Sequence, residues 1–187
     1  MLRWLSLWAA DRRKARELYG AVVTQARQPM FFDGLGVPDT PEGRYETIVL
    51  HLFLVLERLR AEGSPGQNLS RRLIEAFVTD MDDSMREMGV GDLTVPKRVK
   101  RAAAGFYERS GEYRTALAYP DTSVLEQALA RRVLTRNDNN TANAAGAPTA
   151  DLLAAYVRGA ATALAAQDSR ALLDGHVTFP PVVYVEM

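Results

Sequence analysis

Four carboxylates fall within eight residues at Asp80, Asp82, Asp83 and Glu87, and a run of cations follows at Lys97, Arg98, Lys100 and Arg101. Asp80, Asp83 and Glu87 are spaced i, i+3 and i+7, so a helix would carry all three on one face. Such a face could hold magnesium on a diphosphate. Sites of that kind need a second carboxylate cluster across a cavity, and the sequence offers none. The spacing also fails as a calcium loop, because Met85 stands where the turn glycine belongs. The favoured reading is a protein-contact or solvated acidic face on which Asp82 and Arg86 pair at i, i+4. No metal and no cofactor is expected.

The cations pose the opposite problem. Pro96 suits the first turn of a helix, and helix N-termini carry partial positive charge. Each of these four residues therefore sits against its own dipole at a cost of about 0.3–1 kcal/mol. A partner, or the acidic face at 80–87, would supply a reason for them. Phosphate contact by the run, with Phe106 and Tyr107 as stacking aromatics, would make a ribosome- or RNA-associated module. Those two aromatics are predicted to lie on the core side of the helix, and the chain has formal net charge +0. That balance removes any bulk attraction to nucleic acid, and DNA is not expected as a partner.

Other chemistry is thin. There is no cysteine, so disulfides, thiol catalysis and thiolate metal sites are excluded. Only His51 and His176 carry imidazoles. His51 lies in the apolar run Val49-Leu50-His51-Leu52-Phe53, where a core or contact role outweighs haem ligation. No nucleophile triad, phosphate loop or dinucleotide fingerprint is present. The reading is a binding protein and not an enzyme.

The elements that must position these residues are helical. Of 187 residues, 47% are hydrophobic and 25% charged, which suits one globular domain. Apolar residues recur at helical spacing over 11–28, with Pro29 as the stop. Residues 31–38 read as a loop with aromatic anchors. Thr40 caps a helix that begins at Pro41 and runs to about 61, with a wide stripe that makes it central. Gly63-Ser64-Pro65-Gly66 reads as a turn. A helix from about 69 to 88 follows, burying Met81, Met85 and Met88 along with Leu73 and Phe77, and Gly89 ends it. The next helix starts near Pro96, with Gly111 as a candidate kink. Asp121 or Thr122 caps another, which runs to about 135. Residues 137–148 are polar and small and read as a linker. Thr149 caps an alanine-rich helix, and the end is an extended strap broken by Pro180-Pro181. The expectation is an all-α single domain of six to seven helices with that strap at the C-terminus. Its parts are an N-terminal segment 1–10, a helical body 11–136, the linker 137–148 and a tail 149–187.

No segment has the apolar length to span a bilayer. Residues 1–10 do not make a signal peptide, since charges follow at once. Trp4 and Trp8 beside Arg12 and Arg13 suit either packing on the domain or weak contact with an anionic membrane surface. A cytoplasmic protein, with peripheral attachment to the inner membrane as its membrane option, is the corresponding expectation.

Several ordered stretches resemble the ubiquinol–cytochrome c chaperone family. They are Gly36-Val37-Pro38-Asp39-Thr40-Pro41-Glu42-Gly43-Arg44-Tyr45-Glu46, Leu50-His51-Leu52, Asp80-Met81-Asp82, Arg86-Glu87-Met88-Gly89-Val90-Gly91-Asp92 and Val95-Pro96-Lys97-Arg98-Val99-Lys100. The resemblance covers roughly residues 15–135, and none is evident after Asn137. It implies an all-helical, non-enzymatic protein that assists assembly of the respiratory cytochrome bc1 complex. The implied partner is newly made cytochrome b or an assembly intermediate, with the ribosome exit region as a second contact in mitochondrial members. The chain looks like the shorter bacterial kind. The motif residues that become contact candidates are Asp39, Arg44, His51, Asp80, Asp82, Asp83, Arg86, Glu87, Asp92, Lys97, Arg98, Lys100 and Arg101.

Overall fold

The computed structural model describes residues 2–87, 89, 94–135 and 146–182, with side chains described from residue 9 onward and, in the last helical segment, from residue 149. Eight helices are described: α1 (Leu2–Ala26), α2 (Met30–Asp33), α3 (Pro41–Arg60), α4 (Gly63–Glu87), α5 (Val95–Ala118), α6 (Thr122–Arg132), α7 (Gly146–Ala165) and α8 (Ser169–Leu173). The six long ones match the expected all-α architecture, and α2 and α8 are single turns. Residues 176–182 form an extended strap without helix or strand.

Helix α3 is the wall shared by two cores. Leu50, Phe53 and Leu54 face one side, where they meet Tyr113 and Ala116 of α5, Leu125 and Leu129 of α6, and Leu153, Val157 and Leu164 of α7. Val49, Leu52, Val55 and Leu59 face the other, against Leu18 and Val22 of α1, Leu73 and Phe77 of α4, and Phe106 of α5. Both sets follow helical spacing, which explains why the apolar stripe of this segment is so wide. Each fully buried Leu or Phe on it contributes roughly 1.5–3 kcal/mol.

The start of α3 is built as its sequence requires. Thr40 Oγ1 accepts from the backbone N–H of Gly43 at 3.1 Å. Gly43 itself lies so close to the preceding loop that a Cβ there would stand 2.0 Å from the Pro38 carbonyl oxygen. Any side chain would push the Val37-Pro38 segment off the helix.

Several boundaries differ from expectation. Residues 31–38 are not all loop: Met30–Asp33 make α2, which drives Phe31 into the core at 0% exposure. The turn before α4 is at Ala61 and Glu62, and Gly63–Gly66 are already helical. Pro65 is tolerated because first-turn N–H groups have no helical partner. Gly66 packs where a Cβ would lie 2.1 Å from the Leu59 carbonyl. Helix α5 is continuous through Gly111. Phe106 is buried but Tyr107 is 60% exposed, so the two aromatics do not share the core side. One residue is a rotation of about 100° on a helix, enough to carry Tyr107 out of the interface. Helix α7 begins three residues before Thr149, which lies inside it and not at its cap. Gly89, with φ of 77°, is in the left-handed region expected after α4.

Candidate binding surfaces

The acidic residues occupy the last two turns of α4. Asp80 Oδ2 accepts from the Tyr19 hydroxyl at 2.8 Å, which ties α4 to α1. Burial and this carboxylate push the Tyr19 hydroxyl far above its ordinary pKa. Asp82 accepts from Arg86 Nε at 2.8 Å, as its i, i+4 spacing predicts. Asp83 and Glu87 are exposed. Among the described residues no group of His, Asp and Glu is arranged to hold a metal ion.

Lys97, Arg98, Lys100 and Arg101 are all exposed on the first two turns of α5. Thr94 precedes them without a side-chain cap. Among the described residues no ion pair joins them to the face at 80–87, so the internal charge match considered from the sequence is not made. Asp80 instead points at α1, and Asp82 and Arg86 pair with each other. Asp92 and Met88 lie outside the described residues. Met81 and Met85 are half-buried, and Met81 packs on the second core.

Asp39 and Arg44 satisfy one another across the α3 N-terminus, with Nε donating to Oδ1 at 2.6 Å. That hydrogen bond holds the Asp39 carboxyl below its usual range. The Arg44 guanidinium also sits 5.9 Å from the Phe32 ring centre. Both residues remain exposed.

His51 requires a correction as a surface contact. It is 0% exposed. Its Nδ1 lies 2.7 Å from the Thr47 carbonyl and its Nε2 lies 2.8 Å from the Tyr156 hydroxyl. The carbonyl can only accept, so Nδ1 carries the proton and Nε2 accepts from Tyr156. Both nitrogens are spent inside the fold, which leaves none for haem. Burial pushes the imidazole down to about 4, against a smaller upward pull from the Thr47 carbonyl. Phe31 and Phe179 pack edge-on against the ring at 5.0 and 5.2 Å. Gln25 Nε2 then donates to the Tyr156 hydroxyl at 3.1 Å and to the Pro180 carbonyl at 3.2 Å, which fastens the strap over the same cluster.

Trp4 and Trp8 belong to the opening turns of α1, where side chains lie outside the described residues. Arg12 and Arg13 are exposed, and Arg13 pairs with Glu17 at 2.8 Å. Among the described residues no helix is long and apolar enough to cross a membrane.

Three polar anchors have no counterpart in the sequence reading. Arg109 of α5 grips Glu46 of α3 through hydrogen bonds of 2.6–3.0 Å. Glu112 of α5 accepts from Arg131 at 2.5 Å and from Arg132 at 2.8 Å, which joins α5 to α6. Arg58 of α3 pairs with Glu62 and donates to the carbonyls of Leu164 and Gln167, each at 3.0 Å. Partners 63 or 106 residues apart leave no local signal. A cleft of about 360 Å³ between α3, α5 and α7 is lined by Leu54, Ala61, Leu117, Ala161 and Ala165 together with the charged Glu57, Arg58 and Glu62.

A helical scaffold with a largely apolar cleft and separate charged faces fits a protein that binds others. Residues 33–179 match the family model described as ubiquinol-cytochrome C chaperone. The chain belongs to that family. The match extends well past Asn137, so α7, α8 and the start of the strap are family structure, contrary to the expectation that the family signal ended there. The chain is 25% identical over 170 residues to ubiquinol-cytochrome-c reductase complex assembly factor 1 of Xenopus laevis, which covers 90% of this chain and 82% of the relative. It also superposes on the crystal structure of the Cbp3 homolog from Brucella abortus with a TM-score of 0.81 and 36% identity, over 97% of this chain and 98% of that one. The family match begins at Asp33 and leaves α1 outside it, whereas the Brucella abortus structure superposes on α1 as well, over 97% of this chain.

Proposed function

We propose that this chain is an assembly chaperone for the cytochrome bc1 complex, acting by binding newly made cytochrome b or an early intermediate without a catalytic step. The observation that carries the reading is the family match across 33–179 together with similarity over nearly all of both chains in the Brucella abortus relative. A bacterial, cytoplasmic setting with peripheral contact to the inner membrane belongs to the same reading. The physical arrangement supports it. An unassembled membrane protein exposes apolar helices, and the alanines and leucines of the cleft, beside its charged Glu57, Arg58 and Glu62, let such a helix approach closely. The charged faces on α4 and α5 flank the fold without closing on each other. A ribosome-associated role through Lys97–Arg101 and a metal-dependent reaction at Asp80, Asp83 and Glu87 are the readings this one displaces.

The test is capture of the client. Tagged chain expressed in its own host should co-purify pulse-labelled cytochrome b, and the label should leave as the complex matures. Recovery of unrelated nascent membrane proteins in equal amount would reduce the chain to a general holdase and contradict the proposal.

A further inference from the structure

We propose that the exposed stripe of α5 formed by Lys97, Lys100, Arg101 and Tyr107 docks on the surface of a bilayer that contains anionic phospholipid. At 100° per residue these four, with Ala104 between them, fall within about a third of the helix circumference. Val95, Phe106, Ser110 and Tyr113 are buried and fall on the opposite side, so the stripe points to solvent. From Lys97 to Tyr107 it is about 15 Å long.

The charges on it are set apart by their clustering. Arg13, Arg44, Arg60, Arg86, Arg114 and Arg131 are exposed and each holds a carboxylate. Arg16, Arg27, Arg71 and Arg170 are exposed without one among the described residues, but they stand apart from one another. Lys97, Arg98, Lys100 and Arg101 hold none among the described residues, and no other described stretch gathers four such cations within five positions. They also oppose the dipole of their own helix. Glu108 is the acid on the same face, and it is taken by Arg132 at 2.6 Å. Among the described residues no ion pair joins the carboxylates of α4 to the stripe: Asp80 turns to α1, Asp82 to Arg86, and Asp83 and Glu87 stand exposed.

The chemistry that fits is a planar array of phosphate groups over an apolar layer. Lysine and arginine meet the phosphates at short range, within a Debye length of about 8 Å. A tyrosine at the end of the stripe suits the headgroup level, with its ring in and its hydroxyl out. Single-stranded RNA is a poorer fit, because it is bound in grooves that stack successive bases on several aromatics. Here one aromatic stands exposed on a convex helix. The inference rests on the assembly reading for its purpose, since a chaperone of a membrane client works beside the bilayer. The binding itself does not depend on that reading.

Sedimentation of the full chain with phosphatidylcholine vesicles, with and without phosphatidylglycerol, tests the proposal. Binding is expected only with phosphatidylglycerol, and it should fall as salt rises. Lys97→Gln with Arg101→Gln should weaken it about 30-fold, since each cation near such a surface is worth about a five-fold factor. Tyr107→Ala should weaken it further, and the melting temperature of the variants should stay level or rise slightly. No binding at low salt overturns the proposal, and so does equal binding by the double variant, which would move the contact to another surface such as α1. Vesicle binding absent while a mixed-sequence RNA oligomer is bound and lost in the double variant also overturns it. No client is present in this assay, so its failure leaves the assembly reading standing, and failure of client capture leaves a vesicle result standing.

Discussion

Replacing Arg109 by Met removes the cation that grips Glu46 and leaves a carboxylate caught between α3 and α5. The two side chains retain only 19% and 12% of their exposure, and three hydrogen bonds of 2.6–3.0 Å join them. Breaking a buried pair by deleting one partner costs about 3–5 kcal/mol, because the charge left behind has lost its solvation. Residual exposure at this pair lowers the expected cost to about 2–3 kcal/mol. Glu46→Gln in the same chain removes the orphaned charge, so the double variant should recover more than half of that loss. Urea unfolding of wild type, both single variants and the double variant closes the cycle, with the shift in midpoint at constant slope as the readout. Arg44→Met at the exposed Asp39 pair is the control and should leave the midpoint unchanged. A loss below about 0.5 kcal/mol for Arg109→Met would refute the reasoning, since it would place the pair among screened surface contacts.

Other outcomes follow from the same anchors. His51 titrates near 6.5 when unfolded and is pushed down to about 4 in the fold, so only the unfolded chain takes up the proton between those values. Stability should be full above about 6.5 and should fall by up to about 3 kcal/mol as pH drops through 4, and a His51→Gln variant should show a flatter acid limb in pH-dependent melting. Arg58→Ala should release the α7–α8 end from α3 at a cost of about 2–4 kcal/mol, read as faster proteolysis near Gln167 before global unfolding. Titration calorimetry with magnesium, calcium and manganese should find no tight site on α4, and stoichiometric binding lost in Asp83→Ala would revive a metal role there.

Periodicity made most of the fold legible. The wide stripe of α3, the cap at Thr40 and the left-handed Gly89 are local features whose causes lie within a few residues of one another. Boundaries failed where a breaker was read without its position: Pro65 ends nothing because it stands in a first turn, and Gly66 is there for the Leu59 carbonyl. The side of the helix that Tyr107 takes is not legible, because an adjacent aromatic pair is ambiguous by one helical step. The site was less legible. Asp82–Arg86 is a neighbour pair and could be read, whereas Glu46–Arg109, Arg58 with Leu164 and His51 with Tyr156 unite positions brought together only by packing. An imidazole in an apolar run, such as His51, carries no mark of whether its partners are internal.

The most direct test of the central claim is the amount of assembled cytochrome bc1 complex in a strain lacking this chain. Native gels and the reduced-minus-oxidised haem b signal should both show its loss, with the other respiratory complexes near normal, and the wild-type chain supplied in trans should restore it. Unchanged assembled complex in the deletion strain would contradict the account.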